Sequence, residues 1–350
     1  MPSKHPHPLT RRRVLQTGAT VLAAPWVASH AAGAVADGRT ITLVVSYPAG
    51  GGADLVARLI APKMAAALGQ SVVVDNKPGA SGQLAANHVA RSNPDGATLL
   101  LDASSFAVNP SLFNKLPYDT DAAFTPLGVA ALFPNVLVCT ASFEAKTVKD
   151  VIRLAKAKPG QLAFASSGNG SAQHLAGALF EVQAGVDLLH VPYKGGGPAL
   201  NDVMAGQVPL FFANVASSLG HIQSGRLRPL AVTSRLRSRV LPELPSIEEA
   251  GLKGYEVLEW NPVLAPAGVP APVRATLAAA LRKAMADAEL LARVRALGGE
   301  VFAGGEATEH RFFDFESIAI DEATDDALTD DTETIQALDE VVRAIVGDED

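Results

Sequence analysis

The stretch Tyr47-Pro48-Ala49-Gly50-Gly51-Gly52-Ala53-Asp54 constrains the fold of this 350-residue chain more than any other. Before it, residues 41–45 form a short apolar run bounded by polar and glycine-rich sequence, the pattern of a buried strand. After it, Leu55, Val56, Leu59, Ile60, Met64, Ala67 and Leu68 recur at helical spacing, while Arg58 and Lys63 fall off that stripe. Strand, three glycines and helix together aim free backbone N–H groups and the positive end of a helix at one small volume, which suits an anion. Taken alone, three glycines are also compatible with a plain flexible turn. No Lys-Ser/Thr follows at P-loop spacing and G-x-G-x-x-G is absent, which disfavours a nucleotide.

The same unit recurs. A β-branched run at 71–75 precedes Asn76-Lys77-Pro78-Gly79-Ala80-Ser81-Gly82 and a helix over 83–91. A third strand, 98–101, ends in Asp102-Ala103-Ser104-Ser105. Residues 135–140 read as a strand, and Thr147-Val148-Lys149-Asp150 has capping-box form at the head of another amphipathic helix. The pattern then restarts: strand 162–165, turn Ser166-Ser167-Gly168-Asn169-Gly170-Ser171 and a helix to about 184. Strand 188–191 follows, then Pro192-Tyr193-Lys194-Gly195-Gly196-Gly197-Pro198 and a helix to 205, with Pro198 suited to a first helical turn. Strands at 208–212 and 229–233 bracket Ser217, Ser218 and His221, and Ser246-Ile247-Glu248-Glu249 predicts a second capping box on a short helix. Residues 257–265, with Trp260 at their middle, read as a return crossing before helices at 271–287 and 288–297.

Such alternation argues for parallel, doubly wound α/β sheets whose ligands sit beyond the carboxyl ends of the strands. Two crossings between two similar halves describe a periplasmic-binding-protein-like, two-lobed clamshell, each lobe a sheet flanked by helices. The expected boundaries are 37–138 for the first part of lobe 1, 139–259 for lobe 2 and 260–305 for the return to lobe 1.

The two ends differ from this body. Residues 1–36 hold four basic and no acidic groups, with Arg11-Arg12-Arg13 ahead of an apolar stretch to Val27 and small residues near 32–36. This is the form of a twin-arginine-like export signal, too short and too interrupted by Gly18 and Pro25 to anchor the chain in a membrane. Residues 306–350 hold sixteen acidic and two basic groups, a net of −14, so the overall −7 conceals a body of about +3 over residues 37–305. That balance suits a small anion. No basic face interleaved with aromatics points to nucleic acid. The single cysteine, Cys139, allows no internal disulfide and lies in an apolar run, as a small buried hydrophobe does.

Six stretches in order, Y-P-A-G-G-G-A-D at 47–54, D-N-K-P-G-A-S-G at 75–82, F-A-S-S-G-N-G-S-A-Q-H-L-A-G at 164–177, H-V-P-Y-K-G-G-G-P-A-L at 190–200, H-I-Q-S-G-R-L-R-P-L-A-V-T at 221–233 and P-S-I-E-E-A-G at 245–251, resemble the periplasmic solute receptors of the tripartite tricarboxylate transporter system, often called Bug receptors. The resemblance covers residues 38–303. It implies an extracytoplasmic receptor that captures a small carboxylate (a di- or tricarboxylate, an amino acid or an aromatic acid) and delivers it to the membrane subunits of a tripartite transporter; the alternatives are a ligand-sensing co-receptor for a membrane sensor kinase and, with less support, a secreted hydrolase.

In that family the carboxylate is held mainly by backbone amides, hydroxyls and water. This carries over to Tyr47, Ala49, Gly50, Gly51 and Gly52 in lobe 1, and to Ser166, Ser167, Gly168, Asn169, Ser171, His174, Tyr193, Gly195 and Gly196 in lobe 2. Asp54 matches the loop as well, although a carboxylate in a first helical turn is explained by the dipole, which outweighs ligand contact. His174 admits a bond to its own loop, and Tyr193 is either packing or pocket wall. Asn214, Ser104 and Ser105 are candidates by their places at strand ends.

The expected partners are a small organic carboxylate and the membrane subunits, with no nucleic acid, no stable membrane insertion and a monomeric state; the expected location is the periplasm. No cofactor, metal or catalytic residue is expected. G-x-S-x-G, H-E-x-x-H and Cys/His clusters are all absent, and His88, His174, His190 and His221 are far apart in sequence. After Gly305 the chain departs from the family pattern, which continues with a long Trp-bearing helix; here Ile335, Leu338, Val341, Val342 and Ile345 keep a helical stripe within the acidic run.

Overall fold

The computed structural model describes residues 38–301. The export-signal and acidic-tail expectations, at 1–36 and 306–350, lie outside the described residues.

The chain opens with β1 (Ile41–Val45), α1 (Gly52–Leu68), β2 (Val72–Asn76), α2 (Gln83–Ala90), β3 (Thr98–Leu101), α3 (Ser105–Leu112) and the long strand β4 (Phe124–Thr140). It continues with α4 (Val148–Ala157), β5 (Ala163–Ser166), α5 (Ala172–Ala184), β6 (Leu189–Pro192), α6 (Gly196–Met204), β7 (Leu210–Asn214), α7 (Val215–Gln223) and β8 (Leu227–Val232). It returns through β9 (Leu258–Pro266) to α8 (Ala271–Met285) and α9 (Ala288–Ala296).

The strands run in the order β2-β1-β3-β9-β4-β7-β5-β6, with β8 also on β4. The βαβ units are parallel, as expected: β1 pairs β2 and β3, and β5 pairs β6 and β7 in the same direction. The wholly parallel expectation fails where the chain crosses between lobes. There β9 is antiparallel to β3 and β4, and β4 is antiparallel to β7 and β8. The cause is connectivity: β4 carries the chain out and β9 brings it back, so they meet head to tail. β4 is also far longer than the expected 135–140, because residues 124–134 pair with β9 and residues 135–140 pair with β7 and β8. Asn135 and Thr233 mark the point where β4 passes from pairing with β9 to pairing with β7 and β8. The Asn135 N–H donates to Thr233 Oγ1 at 2.8 Å, and the Thr233 N–H donates to the Asn135 carbonyl at 2.9 Å.

One apolar cluster centres on Ile41, Leu43, Ile60, Met64, Phe133 and Phe211, and a second, within lobe 2, on Phe164, Phe180, Phe212 and Tyr255. On α1 the side chains of Val56, Ile60 and Met64 are fully buried, so its stripe faces the sheet. The box at Thr147 forms as expected, with Asp150 and Thr147 bonded reciprocally at the head of α4. At Ser246 the bonds to Glu249 also form, at 3.0 and 3.1 Å, yet the chain makes only a turn, because Gly251 follows too soon at φ +122° for a helix to propagate. Cys139 is buried, as a small apolar side chain is.

Candidate ligand-binding cleft

Four helices begin at one cleft between the lobes. Gly51, Gly52 and Ala53 enter it from α1, Ser171, Ala172 and Gln173 from α5, Gly196 from α6, and Asn214 and Ser217 from the turn into α7. Tyr47, Ala103, Ser167 and Glu259 complete the wall. Neither α1 nor α6 has a side-chain cap at its N-terminus. Their first N–H groups therefore remain available to an incoming acceptor, each backed by about half a positive charge.

The glycines permit this approach. A Cβ on Gly52 would stand 2.6 Å from Nδ2 of Asn214, and one on Gly195 would stand 2.4 Å from the Pro48 ring, where the two lobes' glycine turns meet. Asn214 Oδ1 accepts the Ala216 N–H at 2.9 Å and so caps α7, which turns Nδ2 toward Gly52. Among the described residues that Nδ2 has no hydrogen-bond partner, although the side chain is only 4% exposed. The Glu259 carboxyl lies close enough for this amide to lower its pKa, so Nδ2 faces an acidic group as well as the uncapped end of α1.

Asp54 is bonded within its own loop. Its carboxylate accepts the Gly50 N–H, Arg58 Nε and Asn76 Nδ2, each at 2.9 Å, and so ties the glycine loop together. Burial raises its pKa, but these three donors outweigh burial and hold it below the usual value. Gly50 takes φ +80°, a conformation that favours glycine. Tyr47 is buried, its hydroxyl 2.8 Å from Ser105 Oγ, and burial with the nearby Asp102 charge keeps the phenol protonated.

The other expected residues divide by what they touch. Ser167, Ser171 and Gly196 line the cleft with Tyr47, Gly51, Gly52 and Asn214. Ser171 also caps α5 by accepting the His174 N–H. Ser166 turns inward, its Oγ 2.6 Å from His190 Nε2, and accepts the Gly168 N–H at 3.1 Å. Tyr193 donates to Asp202 at 2.7 Å and lies off the cleft. Asn169 and His174 line a separate cavity of about 510 Å³ with His190 and Glu181. His174 stacks on His190 with ring centroids 3.9 Å apart, and burial pushes its pKa down to about 4. Ala49 and Gly50 are exposed, and Ser104 is buried without lining the cleft.

Sequence reasoning missed Ala53, Ala103, Ala172, Gln173 and, above all, Glu259. The Glu259 carboxyl, 5% exposed on β9, accepts Gln173 Nε2 at 2.6 Å, and the same Nε2 donates to Asn135 Oδ1 at 3.0 Å. Burial raises its pKa, partly offset by the amides of Asn214, Gln173 and Asn261. A lone charge within the largely apolar run 257–265 was the available signal.

The family model described as the tripartite tricarboxylate transporter family receptor matches residues 56–319. The chain belongs to this receptor family. A protein encoded in the tcbD-tcbE intergenic region of Pseudomonas sp. (strain P51) is 41% identical over 261 residues, covering 74% of this receptor and 78% of that protein. Among solved structures, Rpa4515 of R. palustris with adipate superposes with a TM-score of 0.78 at 33% identity, covering 88% of this receptor and 97% of that chain. MatC (Rpa3494) from Rhodopseudomonas palustris with bound malate gives 0.74 at 31%, covering 87% and 99%. The receptor thus has the periplasmic-binding-protein-like, two-lobed α/β fold, and its family consists of solute-binding receptors, not enzymes. Among its described residues there is no cluster of three or more His, Cys, Asp or Glu placed to hold a metal, and no helix long and apolar enough to cross a membrane.

Proposed function

We propose that this receptor captures a small organic acid in the periplasm, grips its carboxylate in the cleft between the lobes, and presents it to the membrane subunits of a tripartite transporter. The observation that carries the reading is the convergence of two uncapped helix N-termini, α1 and α6, in a cleft whose lining contains no Lys, Arg or His. Main-chain N–H groups and helix dipoles are then the positive elements offered to a carboxylate. The carboxylate contacts are assigned to Tyr47, Gly51, Gly52, Ser167, Ser171, Gly196 and Asn214, with Asp54 and Gly50 shaping the loop. The adipate and malate carried by the related receptors support the ligand class. Residues 37–138 and 260–305 act as one lobe and residues 139–259 as the other, closing on the ligand as a monomer. The arginine-rich leader directs export by the twin-arginine route.

A thermal-shift screen of the exported chain against a carboxylate library tests this reading. An acid present at about 100 times its dissociation constant raises stability by about 2.7 kcal/mol. A library in which no carboxylate shifts the transition, while cations or nucleotides do, overturns it.

A further inference from the structure

The two halves of the sheet also meet outside the cleft. The helix α3 follows β3, in the β2-β1-β3-β9 half, yet Val108 is buried in the apolar cluster of Phe164, Phe180, Phe212 and Tyr255, which belongs to the other half, and Leu112 packs against the same cluster. Both reach it past the turn between β5 and α5. A Cβ on Gly170 would stand 2.9 Å from Leu112 Cδ2 and 3.4 Å from Val108 Cγ1, so the turn accepts the helix because Gly170, at φ +71°, carries no side chain. The other flank of α3 is braced. Fully buried Asn109 donates from Nδ2 to the Ser81 carbonyl at 3.0 Å, in a turn where Gly79, Ala80, Ser81 and Gly82 all take positive φ, and Ser81 Oγ lies 3.7 Å from the Cβ position of Gly168. Alanine and serine adopt that conformation at a cost, which surrounding contacts must offset. None of Ser81, Val108, Asn109 or Leu112 lines the cleft.

Resting on the carboxylate reading above, we propose that this seam holds the two glycine-rich walls of the cleft together, and that Leu112 is a positioning residue for acid binding that acts without touching the acid. The cleft is built from both halves, with Gly51 and Gly52 from the first and Ser171 and Gly196 from the second. An acid gripped by both leaves only after they part, so every contact made when they close lengthens its stay. Apolar burial at the seam is blind to the acid's chemistry. It scales the affinity for every acid by one factor, the change in the closing equilibrium. Ser171 links seam to cleft within the chain itself, since it follows Gly170 in the turn, caps α5 and lines the cleft.

The test is stopped-flow and calorimetric titration of the full chain with malate and adipate, extended to the carboxylate library if neither binds. Leu112→Ala is expected to weaken every acid that wild type binds by about tenfold, by the same factor for each and mainly through faster dissociation. Leu112→Met, which restores the apolar volume, returns affinity to within about threefold of wild type. Urea unfolding of ligand-free Leu112→Ala checks that it is folded, and Leu112→Val takes its place, with a smaller loss in the same direction, if it is not. An unchanged dissociation rate in a folded variant, a loss that Leu112→Met does not repair, or a loss that differs from acid to acid overturns the proposal while leaving the carboxylate reading intact. If wild type binds no acid in the library, both fall together.

Discussion

Gly52 and Asn214 are in such close register across the cleft that a methyl group on Gly52 would stand 2.6 Å from the Asn214 side-chain nitrogen. One residue opens α1 and the other caps α7, so the contact ties the N-terminal glycine loop of lobe 1 to the end of β7 in lobe 2. It also places two kinds of donor, a main-chain N–H and a primary amide, at one spot.

Gly52→Ala tests the close approach of the two loops. The added methyl displaces the Asn214 amide, and losing one hydrogen bond to a charged ligand costs about 1.5–3 kcal/mol, or roughly ten- to a hundredfold in affinity. Alanine suits the helical geometry of Gly52, but its methyl meets the buried Asn214 side chain that caps α7, so a stability loss of about 1–3 kcal/mol is expected alongside the loss of affinity. Titration calorimetry paired with urea unfolding of the same variant reads both quantities. Undiminished affinity would place the carboxylate elsewhere.

Asp54→Asn acts on the loop. The three donors converging on this carboxylate hold its pKa below the usual value, so it contributes stability above the unfolded pKa, and that contribution is lost as pH falls through the range below about 4. The variant is expected to be less stable than wild type by about 1–3 kcal/mol at pH 7, with the gap closing toward pH 3. Urea midpoints across that range measure it. A gap independent of pH would show that the charge itself is not what organises the loop.

The three-glycine turns were legible because their requirements are local: positive φ at Gly50 and close approach at Gly52 and Gly195 each exclude a side chain at one position. The βαβ units were legible for the same reason, through strand and helix periodicities that need no knowledge of the partner. What escaped were features fixed only by tertiary convergence. Gln173 and Glu259 are 86 residues apart and meet at the crossing of β4 and β9. The helices α3 and α7 escaped because each starts within a few residues of a strand end, with no linker or acidic cap to mark it. Asn169 and His174 matched the family turn in sequence, yet the turn aims them at the other cavity, where His174 is committed to the Gly170 N–H and the His190 ring.

Asp102 is the reverse case to Asp54. Burial drives its pKa up to about 6 against the partial offset of Ser46 and the Ala103 N–H, and its second oxygen has no partner among the described residues. A raised pKa means that stability is full below about pH 4 and is lost as pH rises through 6. Asp102→Asn removes the ionisation and is expected to be about 1–3 kcal/mol more stable than wild type at pH 7, with no advantage at pH 3.5. Chemical denaturation at the two pH values reads the difference. An advantage equal at both would trace the effect to packing rather than to charge.

The grip on the ligand is tested most directly by a crystal structure of the chain with a bound acid identified by the screen. The expected result is a carboxylate oxygen within hydrogen-bond reach of the Gly52 or Ala53 N–H and of Asn214 Nδ2, with Asp54 still bonded to its own loop. A carboxylate seated instead in the cavity of His174, His190 and Glu181, or neutralised by an Arg or Lys side chain, would contradict it.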